Sequence, residues 1–225
     1  MQKVFSIFAQ NLAYYNEGSI EGGWLDLPQS PEVIDKYLKE VVKVDDEHEE
    51  YEIADIDDNI SPFPYASIQW SSVKKLNELA IIFSKLDECQ REAIQAYLVY
   101  SGEEHYSISQ LVNICLQADN INYCRYSFEG LEYNQDCSPE LKMGYTMAEE
   151  NGIYIQLQKQ GIIDYFDFEK YGESFGYDYE LLSNGYFIPN YDIDLDCYSK
   201  EEIQEKMNEI LNEKLKEQEV SEIEI

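Results

Sequence analysis

Carboxylates are the residues of this chain best placed to do chemistry, and they recur at spacings that regular structure turns into rows. Acids two apart on a strand share one face at about 6.8 Å. Acids three or four apart on a helix are separated by about 5–6 Å at Cβ. Glu50 and Glu52 meet the strand condition, as do Asp55 and Asp57, and Asp192, Asp194 and Asp196 repeat it if that segment is extended. Asp164, Asp167 and Glu169, with Glu173 beyond, can line the outside of a short helix. Adjacent phosphates on one DNA strand lie near 7 Å apart, roughly, from a 3.4 Å rise plus helical displacement. Rows of carboxylates can therefore pair with Lys and Arg side chains of the kind that grip phosphates.

Other reactive types are sparse. His48 and His105 are the only histidines, and neither has metal-ligand or triad spacing. His48 sits in a run of acids, where a solvated surface role is the simpler reading. No GxxxxGK loop, no GxGxxG after a strand and no CxxC pair occurs. Asp192-Ile193-Asp194-Leu195-Asp196 reproduces the first three ligands of a calcium loop, but Cys197 stands where that loop needs Gly and Ile203 where it needs Glu. Paired carboxylates of the glycosidase kind arise by chance in so acidic a chain and carry no specificity. The expectation is no catalytic residue, no metal and no cofactor.

The elements that must position these acids read as follows. Val4–Phe8, Gly23–Leu27 and Tyr51–Ile56 are predicted strands, with a helix over 31–42 capped by Ser30 and begun by Pro31. Ser61-Pro62-Phe63-Pro64 punctuates the chain. Helical periodicity follows: Val73, Leu76, Leu79, Ala80, Phe83 and Leu86 trace one face, Asp87 can cap a second helix and Ser107 a third. Pro139–Asn151 is a predicted helix closed by Gly152, and 164–171 a short acidic, aromatic helix ending at Gly172. Asn184-Gly185 marks a hairpin. Ser199-Lys200-Glu201-Glu202 is a capping box opening a helix with Ile203, Met207, Ile210, Leu211 and Leu215 on one side. That side is either a packing surface for a second subunit or an ordinary docked helix. The fold class is α+β: an elongated chain of small domains, short antiparallel sheets with covering helices flanking a central small helical domain. Expected borders are 1–62 (N-terminal α/β), 63–125 (central helical), 126–198 (C-terminal α/β) and 199–225 (helical extension).

Charge constrains the partner. Forty-six acids against sixteen Lys and Arg leave a formal charge of −30 over 225 residues, yet 44% of the chain is hydrophobic and twenty residues are Tyr. The chain can thus build a core while keeping a self-repulsion that destabilises it. Thirty charges match those of roughly 51 Å of duplex, against a diameter of about 44 Å for a globule of this length. A strongly basic partner is implied, and free nucleic acid and anionic membranes are excluded. No stretch has the apolar length of a membrane span, the N-terminal run lacks a signal-peptide pattern, and five irregularly spaced cysteines read as reduced thiols. The expected location is the cytoplasm.

The residues also resemble a family. Tyr15-Asn16-Glu17-Gly18 with Gly23-Trp24-Leu25-Asp26-Leu27-Pro28 is similar to the start of ArdA antirestriction proteins. Asp46 with Tyr51-Glu52-Ile53-Ala54-Asp55 resembles their acidic segment. Tyr65-Ala66-Ser67-Ile68 with Leu76-Asn77-Glu78-Leu79-Ala80, and Tyr165-Phe166-Asp167-Phe168-Glu169-Lys170-Tyr171-Gly172, resemble two later elements, and the hairpin at Gly185-Tyr186-Phe187-Ile188 matches in position. The resemblance spans roughly residues 1–190; extra residues around 69–75 and the tail from Ser199 depart from it.

It implies an elongated acidic homodimer that imitates bent B-form DNA and blocks type I restriction–modification enzymes through their specificity and methyltransferase subunits. Such proteins are carried by conjugative elements and phages. The partner-facing surface expected on this basis comprises Asp45, Asp46, Glu47, Glu49, Glu50, Glu52, Asp55, Asp57 and Asp58. Further along it takes in Glu129, Glu132, Asp164, Asp167, Glu169, Glu173, Asp178, Glu180, Asp192, Asp194 and Asp196. Two other readings are a mimic aimed at another basic protein, such as a CRISPR effector or nucleoid protein, and a hydrolase using paired carboxylates.

Overall fold

The computed structural model describes residues 3–57, 63, 65–127, 137–191, 193 and 195–209. Short antiparallel sheets and helices alternate in the α+β manner expected. The chain divides into two compact units, one of Met1–Ile94, Glu103–Ala118 and Leu195–Ile225, the other of Gln95–Gly102 and Asp119–Asp194.

In the first unit, β1 (Phe5–Asn11) is the central strand, flanked antiparallel by β2 (Gly22–Leu27) and β3 (Tyr51–Asp57). Phe5, Ile7 and Ala9 alternate into the core with Leu25, Leu27 and Ile53. Between β1 and β2 the Asn11 carboxamide caps the short α1 (Leu12–Asn16). Ser30 and Pro31 begin α2 (Pro31–Glu40), which contributes Ile34 and Tyr37 to the core. After α3 (Tyr65–Ile68) comes α4 (Val73–Phe83), which packs on α2, β2 and α6 (Ile108–Leu116). Buried Asn77 ties α4 to the chain after β2: its Oδ1 accepts from the Gln29 amide (2.7 Å) and its Nδ2 donates to the Gln29 carbonyl (3.0 Å). Ser107 and Gln110 form a reciprocal capping box on α6.

The second unit begins inside α5 (Glu88–Ser101), after Ile94. Its sheet has the order β4 (Cys124–Arg125), β6 (Tyr186–Pro189), β5 (Tyr179–Leu181). Strand β6 is buried on both faces. Phe187 packs with Tyr126 and Met143 on one side, while Tyr186 and Ile188 pack with Ala96 and Leu182 on the other. The predicted hairpin is present, with Gly185 at φ +96° in its turn. Ser138 caps α7 (Pro139–Glu150), and Gly152, at φ +68°, passes the chain into α8 (Ile153–Gln160), a helix the sequence pattern did not reveal.

One predicted helix is corrected. Residues 164–171 do not form a single helix: a 3-10 turn at Ile163–Tyr165 is followed by extended Phe166 and then α9 (Phe168–Glu173). The break belongs to Asp167, whose carboxylate accepts from the Lys170 amide at 2.9 Å and so starts a new helix instead of continuing the old turn. Residues 200–209 are helical, and the predicted capping box closes with Ser199 N to Glu202 Oε2 at 2.7 Å and Glu202 N to Ser199 Oγ at 3.2 Å. Ile210, Leu211, Leu215 and most of the Ser61–Pro64 punctuation lie outside the described residues.

Candidate functional site

The acidic surface of the first unit starts in the loop before β3, and that loop has defined geometry. Asp45 Oδ1 accepts from the amides of Glu47 and His48 and meets His48 Nδ1, each at 2.9 Å. These bonds, that to His48 Nδ1 first, hold the Asp45 carboxyl below its ordinary range. His48 stacks on Tyr14 with ring centroids 4.5 Å apart, and Asn11 Nδ2 donates to the His48 carbonyl at 3.0 Å. Asp45 is therefore engaged within the loop. Asp46, Glu47, Glu49 and Glu50 stand exposed around it, with no ion pair to a described side chain.

Regular strand geometry would put Glu52 on one face of β3 and Asp55 and Asp57 on the other, because side chains alternate. The register shifts between Phe8 and Ala9: Ala9 pairs with Ile53, whereas Phe8 pairs with Asp55, so Ala54 is an extra residue. This bulge resets the alternation. Gln10 opposes Glu52, Phe8 opposes Asp55 and Ser6 opposes Asp57, so all three acids share the outward face. Glu50 lies one residue before the strand, its carbonyl accepting from the Leu12 amide at 3.0 Å, so of the predicted Glu50–Glu52 pair only Glu52 is within β3.

The same face carries an acid the sequence reading passed over. Asp26 on β2 opposes Ser6 and hydrogen-bonds its hydroxyl, and Lys3 Nζ bridges Asp26 (3.4 Å) and Asp57 (3.2 Å). The Ser6 hydroxyl, then Lys3, hold the Asp26 carboxyl below its usual range. The alternation Trp24-Leu25-Asp26-Leu27 was the available signal, since buried Leu25 and Leu27 force Trp24 and Asp26 outward.

In the second unit, Asp164, Asp167, Glu169, Glu173, Asp178 and Glu180 are all exposed, with Lys170 the one basic residue from Gly161 to Tyr191. Asp167 caps α9, and Glu169 accepts from Ser138 Oγ at 2.6 Å. Asp196, in the first unit, is exposed, and its backbone is clamped to α6: its carbonyl accepts from Asn113 Nδ2 (2.8 Å) and Gln117 Nε2 (2.7 Å). Asp58, Glu129, Glu132, Asp192 and Asp194 lie outside the described residues, and with them the first two ligand positions of the calcium-like segment.

Among the described residues no cluster of His, Cys, Asp and Glu could hold a metal ion, and no helix is long and apolar enough to cross a membrane. What the arrangement offers is exposed carboxylate on a hydrogen-bonded frame. Residues 7–188 match the ArdA family of antirestriction proteins. The chain belongs to that family. Comparison with curated proteins found no match. Membership in an antirestriction family implies interaction with restriction enzymes.

Proposed function

We propose that this ArdA protein acts without catalysis, as a DNA mimic that occupies the DNA-binding groove of a type I restriction–modification enzyme and spares incoming DNA. It works in the cytoplasm as a homodimer and contacts the specificity and methyltransferase subunits. One observation carries the reading. From Asp45 to Asp57 the chain presents eight carboxylates and no Lys or Arg; among the described residues only Asp57 meets a Lys, and Asp45 hydrogen-bonds His48. Carboxylates without internal cations are available to the Lys and Arg that otherwise hold phosphates.

Competition tests it. A type I methyltransferase bound to labelled DNA should release the DNA as the protein is added, less efficiently as salt rises. Successive Asp→Asn and Glu→Gln changes at Asp46, Glu49, Glu50 and Asp55 should erode affinity gradually, roughly 1.4- to 5-fold each. Light scattering on the same preparation should give twice the chain mass. A complex that holds DNA and this protein together would falsify the mimicry, and one substitution that abolishes all effect would indicate a catalytic group instead.

A further inference from the structure

The outward face of the first sheet has three rows across its strands, and they are not alike. One row is Asp26, Ser6, Asp57; the next is Trp24, Phe8, Asp55; the third is Gly22, Gln10, Glu52. In the first row Lys3 and Ser6 supply donors to both carboxylates. In the third, Gln10 Nε2 donates to Glu52 Oε1 at 2.7 Å. Among the described residues the middle row has no such donor: there Asp55 takes only the amide of Ile56 (2.8 Å), and its row neighbours are aromatic. Trp24 is 51% exposed and meets half-buried Phe8 edge to face, centroids 5.6 Å apart. The row is a trough with Phe8 as floor, Trp24 as one wall and Asp55 as the other. Two strand spacings, about 9.6 Å between outer Cα atoms, separate the walls.

We propose that this trough takes an arginine side chain of the basic protein partner. A guanidinium is planar, stacks on an indole face and presents N–H groups along its edge. Stacked on Trp24, it supplies Asp55 with the donor that the flanking rows already have. Charge complementarity fixes the occupant. A nucleobase would bring phosphates toward Asp26, Glu52 and Asp55, a second copy would bring another −30, and a Lys ammonium offers neither plane nor fork. The inference rests on the reading that the partner is a basic protein, and it names the side chain this face selects.

The test uses the full chain carrying Trp70→Phe, which leaves Trp24 as the one tryptophan, with nonaarginine and nonalysine peptides as probes of equal charge. Nonaarginine should change Trp24 emission and bind more tightly than nonalysine. By calorimetry, Trp24→Leu should weaken nonaarginine about two- to five-fold and erase the preference over nonalysine, while Trp24→Phe keeps part of it. Asp55→Asn should reduce the same preference. If Trp24→Leu, folded by circular dichroism, keeps the full arginine preference, the trough is not the site, even where the protein still displaces DNA from the methyltransferase. If the preference is lost with Trp24 but no DNA is displaced, the trough stands and the restriction target fails.

Discussion

Tyr37 links the core to the acidic face through a single phenol. Its hydroxyl donates to the Gly23 carbonyl at 2.6 Å and accepts from the Ala9 amide at 3.2 Å, beside the register shift that places Asp55 and Asp57 outward. A bulge interrupts the ladder, and a side chain that takes the loosened amide keeps it from being orphaned. Burial pushes the Tyr37 phenol up from 10.0 to about 12, against the opposing donation from Ala9. The folded state thus favours the neutral phenol, so its contribution is complete below pH 10 and is lost as pH rises through about 12. Tyr37→Phe should lower the unfolding free energy by about 1–3 kcal/mol, because the buried Ala9 amide and the part-buried Gly23 carbonyl lose their partner. Urea titrations of both proteins between pH 8 and 12 check this. The gap should narrow above pH 10, and a gap independent of pH would detach the phenol from the bulge.

At the scale of elements, α7 and α9 cross so closely that glycine is required on both. A Cβ on Gly144 would run into the Phe168 carbonyl, and one on Gly172 into the Glu140 carbonyl. Gly144→Ala or Gly172→Ala should each cost about 1–3 kcal/mol by forcing the helices apart. The double variant should cost less than the sum, since the first substitution already opens the gap for the second. Additive losses in thermal melts would mean the contacts relax independently. Nothing in the sequence announced this crossing. Gly172 read as the end of a helix, whereas its main role is set by a partner helix some thirty residues away. Signals written in a few adjacent residues were legible: Ser30 before Pro31, the Ser107 cap, the Ser199 box and the Asn184-Gly185 turn all stand where the pattern put them. The acidic face was legible only in part. Asp55 and Asp57 were read as a pair, but their sharing a face with Glu52 depends on pairing with β1, which a single strand does not encode. The split of residues 164–171 turned on one Asp choosing to cap, a contest between local hydrogen bonds that periodicity does not resolve.

Over the whole molecule the charge acts on folding and binding with opposite signs. At −30 the chain repels itself, so screening should stabilise the fold while weakening its grip on a basic partner. Raising salt from 10 mM to 0.5 M should lift Tm by roughly 2–4 °C or more, the equivalent of about 1 kcal/mol for a chain of this size, and should lower affinity for the restriction enzyme over the same range. Acid adds a second sign change. From pH 7 toward 5, partial protonation relieves repulsion and Tm should rise. Asp26 and Asp45 are held below their ordinary 3.8, Asp26 by Ser6 and Lys3 and Asp45 by His48 and loop amides, so their contribution is present above that value and is lost as pH falls beneath it. The Tm profile should therefore peak on the acid side of neutrality and then drop, and Asp26→Asn should blunt the drop. A Tm that falls with added salt would mean that internal ion pairs outweigh repulsion. Unpartnered carboxylates would then not dominate the surface, and a mimic of phosphate needs them to.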